Sequence, residues 1–195
     1  MKWNSEAETI KAHRDFPVKQ LFSNTLALPR LMKLYTEIPA NSKVLDVGCN
    51  SGEFGGFVAY AKKCDVTGID VSKEVVGKVS EQGINFINCP IEDNPFKDEQ
   101  FNVVVASETL EHLFDIKKAL KEIHRVLILG GLFIGTVPHP DISPEDEPWH
   151  CNKFTAESLK NLLLEFFVNV SIDTIPGIEG FLGKGQHLFF RAVKR

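Results

Sequence analysis

Apolar positions in this chain fall into two alternating patterns. Short runs of β-branched, leucine and aromatic residues alternate with longer stretches where apolar residues recur at helical spacing. Val44, Leu45 and Val47 make the first short run, and 66–69, 84–87, 101–105 and 132–137 make four more. The 101–105 run carries no charge and is rich in valine, which suits a central strand buried on both faces. Between the runs, Phe54, Phe57, Val58 and Ala61 predict one helix, and 73–82, stopped by Gly83, predict another. A further helix is predicted over 116–127, with Leu120, Ile123 and Leu127 on one side and Gly130–Gly131 as its cap. Strands alternating with helices in this order predict an α/β fold, with a mostly parallel sheet and helices on both faces.

The two ends read differently. Residues 1–16 are polar and predict a loosely held helix, and a second short helix starts near Pro29 and stops at 39–41. Residues 1–40 are therefore expected to form a helical segment that covers the sheet edge or the substrate, with the main domain over 41–195. Near the other end, Thr155 is placed to cap a helix with Leu159, Leu162, Leu163 and Phe166 on its apolar face. Strands over 168–175 and 187–193 then follow one another across a glycine-rich loop, 176–185, with no helix between them. Such a pair is expected to be antiparallel at the sheet edge.

The first strand runs into a glycine-rich turn, in the stretch KVLDVGCNSGEFGGF over 43–57. Gly48 and Gly52 permit a tight reversal and let a ligand approach the main chain. The helix start beyond them is expected to present free amide hydrogens. Asp46 places a carboxylate at the carboxyl end of the strand, where open α/β sheets bind ligands. The stretch resembles the glycine-rich motif of the class I S-adenosylmethionine-dependent methyltransferases, an acid followed by alternating glycines. Asn50 stands where that motif has its middle glycine, and asparagine is the next most tolerant residue of a left-handed backbone.

The resemblance extends over about 43–193. FNVVVASETLEHL is similar to the family's fourth strand and its loop, and ALKEIHRVLILGGLFIGTVP to the following helix, turn and fifth strand, with Ile128–Leu129 where Lys–Pro is usual. It implies a three-layer Rossmann-like methyltransferase fold: a mostly parallel seven-stranded sheet whose antiparallel last strand is inserted between two others.

Asp70 lies 24 residues after Asp46, at the end of the second predicted strand, where a carboxylate can accept two hydrogen bonds from a ribose diol. A nicotinamide enzyme uses the same geometry, but its GxGxxG fingerprint is missing: from Gly48 the chain runs G-C-N-S-G-E. The resemblance implies S-adenosylmethionine as cofactor. Asp46 would order its methionine end, Gly48, Cys49, Asn50 and Gly52 would form the turn beneath it, and Asp70 would hold the ribose. Val71 and Ile91 would wall the adenine, Glu92 would meet the exocyclic amine, and Ser107 would face the methionine moiety.

Composition narrows the class. A chain of 195 residues suits one compact domain. Cys49, Cys64, Cys89 and Cys151 form no CxxC pair and no zinc spacing, which predicts free thiols in a reducing compartment and a cytoplasmic protein. No apolar run approaches membrane-spanning length, and the first residues lack a signal-peptide core, so no membrane insertion is expected. A net charge of −4 argues against a nonspecific grip on nucleic acid.

Glu108, Glu111 and His112 follow the fourth strand. In a helical turn, all three would face one way. That arrangement serves either a general base or a metal site. Histidine ordinarily titrates near neutral pH, so His112, held by Glu111, suits removal of a proton from a hydroxyl acceptor. His150 is the second candidate, after an acidic loop, 138–149, that leaves the end of the fifth strand; Trp149 beside it could wall a ring-shaped substrate. His139 is weaker, while His13, His124 and His187 read as structural or surface residues.

The Glu-x-x-Glu-His arrangement also resembles the ubiquinone-pathway O-methyltransferases and the metal-dependent small-RNA 2'-O-methyltransferases. The leading expectation is methylation of a small-molecule acceptor, with O-methylation favoured and no metal required, by a monomer or homodimer. The alternatives are metal-assisted RNA 2'-O-methylation and a non-catalytic module that binds the cofactor.

Overall fold

The computed structural model describes residues 28–75, 83–140, 149–175 and 186–195. The helix predicted over 1–16 and the loop 176–185 lie outside the described residues, as does most of the helix predicted over 73–82. Only a 3-10 turn, Lys73–Val75, is described there.

Seven strands form one sheet: β1 (Lys43–Val47), β2 (Asp65–Ile69), β3 (Asn85–Ile87), β4 (Phe101–Ser107), β5 (Leu127–Pro138), β6 (Val168–Ile175) and β7 (His187–Val193). Their order is β3-β2-β1-β4-β5-β7-β6. The first five pair in parallel, whereas β7 is antiparallel to both β5 and β6. The expected insertion of an antiparallel last strand is present.

Among the described residues, four helices cover the sheet: α1 (Leu28–Glu37), α2 (Glu53–Lys62), α3 (Ile116–Val126) and α4 (Ala156–Leu164). Alternation along the strands explains the three layers. In β4, Val104 and Ala106 join a core with Leu120 and Ile123 of α3 and Leu159 and Leu163 of α4. Val103 and Val105 face the other way, into a core with Leu31 and Leu34 of α1 and Phe54 and Val58 of α2. Each fully buried aliphatic side chain of this kind stabilises the fold by about 1.5–3 kcal/mol relative to exposure.

Local sequence sets most boundaries. Asp115 caps α3 by accepting from the amide of Lys118 at 3.0 Å. Thr155 caps α4, with Ser158 completing a reciprocal capping box. One boundary departs from expectation. Gly130–Gly131 do not cap α3, which stops at Val126. Leu127 is already extended and pairs with Phe101 of β4. The apolar run Leu127–Ile128–Leu129 enters the sheet instead of lengthening the helix. Gly130, at φ 73°, turns within this early part of β5, where its amide donates to Lys194 O at 3.0 Å.

Candidate functional site

The carboxyl ends of β1, β2 and β4 open onto a cavity of about 410 Å³. Asp46, Gly48, Cys49, Asn50, Asp70, Val71, Ile91, Glu92, Ser107 and His112 all line it. Gly52, Glu111 and His150 are not among the lining residues.

The glycine turn has the backbone its residues require. Gly48 (φ 72°), Asn50 (φ 49°) and Gly52 (φ 75°) are left-handed. Gly48 is further restricted, because a Cβ there would lie 2.7 Å from Thr109 Oγ1. That hydroxyl donates to Val47 O at 2.9 Å and ties the end of β1 to the loop after β4.

The amides of the turn itself, before α2 begins, are engaged. Gly48 N and Cys49 N both donate to Ile69 O, at 2.9 and 3.0 Å, and Gly52 N donates to Cys49 O at 2.9 Å. Asn50 N donates to Asp70 Oδ2 at 2.9 Å. These four amides are spent within the protein. A turn that cradles a pyrophosphate needs such amides to point at the ligand. The amides of this turn are not available to a pyrophosphate, in line with the missing dinucleotide fingerprint.

Asp70 is fixed from both sides, since its Oδ1 accepts from Ser72 N at 2.8 Å. Asp46 is buried, and burial first, then the neighbouring charge of Asp70, pushes its carboxyl up to about 7. Glu53, in the first turn of α2, also lines the cavity; its Oε2 has no hydrogen-bond partner among the described residues. Asp46, Glu53 and Asp70, with Glu92 and Glu108, outnumber Arg30 among the lining residues and favour a ligand carrying positive charge. Glu53 was not singled out from sequence, although an acid just after a glycine turn is a readable signal.

Beyond β4, Leu110–His112 form a single 3-10 turn. His112 Nε2 lies 3.8 Å from Glu111 Oε1, and Glu111 is buried. The rings of His112 and His150 meet edge to face, 4.8 Å between centroids. His112 Nδ1 is 3.4 Å from Trp149 O. Ligand atoms of Glu111, His112 and His150 lie within 4.8 Å of one another, so the three predicted residues do converge. Their donor set, one carboxylate and two imidazoles, would suit a first-row divalent ion better than magnesium.

Glu108 does not join them. Its left-handed backbone (φ 52°) breaks the helical spacing that would have aligned it with Glu111 and His112. Its Oε2 instead lies 3.3 Å from Arg30 Nη1 and 3.3 Å from His187 Nε2. Burial raises the Glu108 carboxyl, but the His187 hydrogen bond and the Arg30 charge outweigh it and hold the group below its ordinary value. Arg30 and His187, neither of them a candidate from sequence, thus belong to the site region, with Arg30 lining the cavity. His124 packs against Phe167, away from these groups.

No disulfide joins any of the four cysteines. No helix among the described residues is long and apolar enough to cross a membrane.

Comparison with known proteins agrees with this geometry. Residues 45–135 match the model of a family described as a methyltransferase domain. An uncharacterized methyltransferase, YcgJ of Bacillus subtilis, is 32% identical over 124 residues, covering 60% of this chain and 47% of that protein. A demethylmenaquinone methyltransferase of Chlorobaculum tepidum is 34% identical over 149 residues, covering 75% of this chain and 54% of that one. The chain spans about half the length of these curated relatives. Among solved structures, the N-methyltransferase NodS of Bradyrhizobium japonicum, in complex with S-adenosyl-L-homocysteine, has the same fold. Its TM-score is 0.73 at 20% identity, covering 96% of this chain and 97% of that one.

Proposed function

We infer that this chain, a relative of the class I S-adenosylmethionine-dependent methyltransferases, transfers a methyl group from S-adenosylmethionine to a small-molecule acceptor, a hydroxyl oxygen in preference to nitrogen. The observation that carries the reading is the pairing of Asn50 N with Asp70 Oδ2 beside a cavity that continues to His112. The pairing orients a carboxylate for a ribose diol, and the same cavity reaches a histidine that can meet the acceptor.

S-adenosylmethionine supplies an already activated methyl group. Asp70 binds the ribose hydroxyls, Ile91 and Val71 wall the base, and Glu92 meets its amine. Asp46, with Glu53 nearby, faces the cationic methionine end. The side chains of Ser107 and Thr136, 3.3 Å apart, brace the adjoining ends of β4 and β5. His112 accepts the acceptor's proton, while Glu111 and His150 position its ring. Little else is needed, because in-line placement and exclusion of water account for much of the rate in such a transfer. Helix α1, within the segment assigned as a cover, lends Arg30 and Leu31 to the cavity wall.

The test is to incubate the protein with S-adenosylmethionine and small hydroxylated or amino compounds, then measure S-adenosylhomocysteine and methylated product by mass spectrometry. Acceptor-dependent formation of an O-methyl product is expected. Products methylated only on nitrogen would overturn the oxygen preference, and no turnover despite cofactor binding would favour a binding module.

A further inference from the structure

We propose that Arg30 and Glu108, with His187 behind them, form the acceptor-recognition end of the cavity and select a small molecule presenting an uncharged hydroxyl group. This deepens the methyl-transfer reading and rests on it.

Glu108 is held in an unusual conformation. A non-glycine residue at φ 52° is strained, and such residues persist where the surroundings impose them, often at ligand sites. Here the amide of Glu108 donates to Thr136 O at 2.9 Å, which fixes the turn just beyond β4. The result is a carboxylate turned towards α1 and β7 and away from Glu111 and His112.

The pairing it makes is incomplete. One oxygen, Oε2, meets both Arg30 and His187. The other, Oε1, is buried and makes no hydrogen bond of ordinary length among the described residues, although the Thr136 hydroxyl stands near the carboxylate; Arg30 Nε is also buried and unmatched. A buried acceptor and a buried donor left unmatched are costly, and a ligand that supplies both partners removes that cost. Both residues line the cavity.

Charge decides the kind of ligand. The guanidinium and the carboxylate offset one another. A carboxylate ligand would face Glu108, and an ammonium ligand would face Arg30, so each meets a like charge at short range. A neutral hydroxyl meets neither penalty. It donates to Glu108 Oε1 and accepts from Arg30 Nε. Phe114 and Trp149 also line the cavity and suit a planar ring as the carrier of that hydroxyl.

The experiment uses the full chain saturated with S-adenosylhomocysteine and titrated with phenol, anisole, benzylamine and benzoate by ligand-observed NMR. Phenol is expected to bind about tenfold or more tightly than the other three. Glu108→Gln and Arg30→Lys should each weaken phenol about tenfold while S-adenosylhomocysteine affinity stays within about twofold. The Lys variant keeps the charge and guards against loss of folding. Equal or tighter binding of a charged probe, no loss on masking the hydroxyl as anisole, no measurable binding of phenol, or unchanged phenol affinity in both variants would each overturn the proposal. Failure of the unmodified chain to bind S-adenosylhomocysteine would instead sink the methyl-transfer reading beneath it.

Discussion

The backbone amide of Asn50 donates to the carboxylate of Asp70 at 2.9 Å, joining the turn after β1 to the end of β2. The two features that carry the cofactor assignment therefore hold each other in place. Asn50 supplies the left-handed conformation of a missing glycine, and its amide aims the acid that should meet the ribose.

Asp70→Asn tests this directly. The amide side chain keeps one acceptor oxygen but loses the charge that strengthens hydrogen bonds from ribose hydroxyls. S-adenosylmethionine affinity should fall about tenfold to a hundredfold by calorimetry. Thermal unfolding should shift by only a few degrees. Asp70→Ala should cost more stability, because the amides of Asn50 and Ser72 would both lose their acceptor. An unchanged affinity in Asp70→Asn would remove Asp70 from the cofactor site.

Asp46 makes two quantities depend on pH. Burial and the nearby Asp70 raise its carboxyl to about 7. The unfolded chain releases that proton near pH 4, at roughly the ordinary aspartate value. Between these values the folded state binds more protons, so the Asp46 contribution to stability falls as pH rises from about 4 to about 7 and then levels off. Cofactor binding runs the other way. A cationic ligand needs the ionised carboxylate, so affinity should rise about tenfold between pH 6 and pH 8. Asp46→Asn should flatten both profiles in parallel denaturation and calorimetric series. A pH dependence that persists in the variant would assign it to another group.

How much of this was readable beforehand follows from the range of each interaction. The strands and the two acids at their ends were legible because alternation and a glycine turn are local signals. The inserted order of β7 came from family resemblance, since alternation says nothing about strand order. Arg30 and His187 were not legible: their side chains lie 3.4 Å apart although 157 residues separate them in sequence. Only the packing of α1 beside β7 creates that neighbourhood. Glu108 was misplaced for a different reason. The spacing of residues 108, 111 and 112 promised one face, and a single left-handed residue sent the first of them elsewhere. The end of α3 was misread because Leu127 pairs with Phe101, a long-range hydrogen-bonding preference that overrides a nearby glycine pair.

His112→Ala separates chemistry from binding. If His112 accepts the acceptor's proton, kcat should fall about a hundredfold or more. The affinity for S-adenosylhomocysteine should stay within about twofold. His150→Ala should give a smaller loss, since its ring packs on His112 without lining the cavity. Glu111→Gln should lower kcat more than it changes KM, through loss of the carboxylate 3.8 Å from the His112 ring. Full turnover by His112→Ala, measured as S-adenosylhomocysteine release under saturating acceptor, would discard the base assignment.

The same three residues set up a contest between proton transfer and metal binding that a chelator resolves. The metal site that the sequence spacing suggests needs Glu108 beside Glu111 and His112. Arg30 and His187 hold Glu108 elsewhere, each 3.3 Å from its Oε2. Moving it would break that pairing and leave Arg30 without its carboxylate in a largely buried setting, a cost of several kcal/mol. Among the described residues, Glu111, His112 and His150 are left to act as ligands, and all three are engaged as base and positioning residues in the proposed transfer. Turnover after exhaustive EDTA treatment should therefore match untreated enzyme, and added manganese or zinc should not raise it. A loss of tenfold or more, restored by one of these ions, would convert the cluster into a metal centre and move the RNA 2'-O-methylation reading ahead of the small-molecule one.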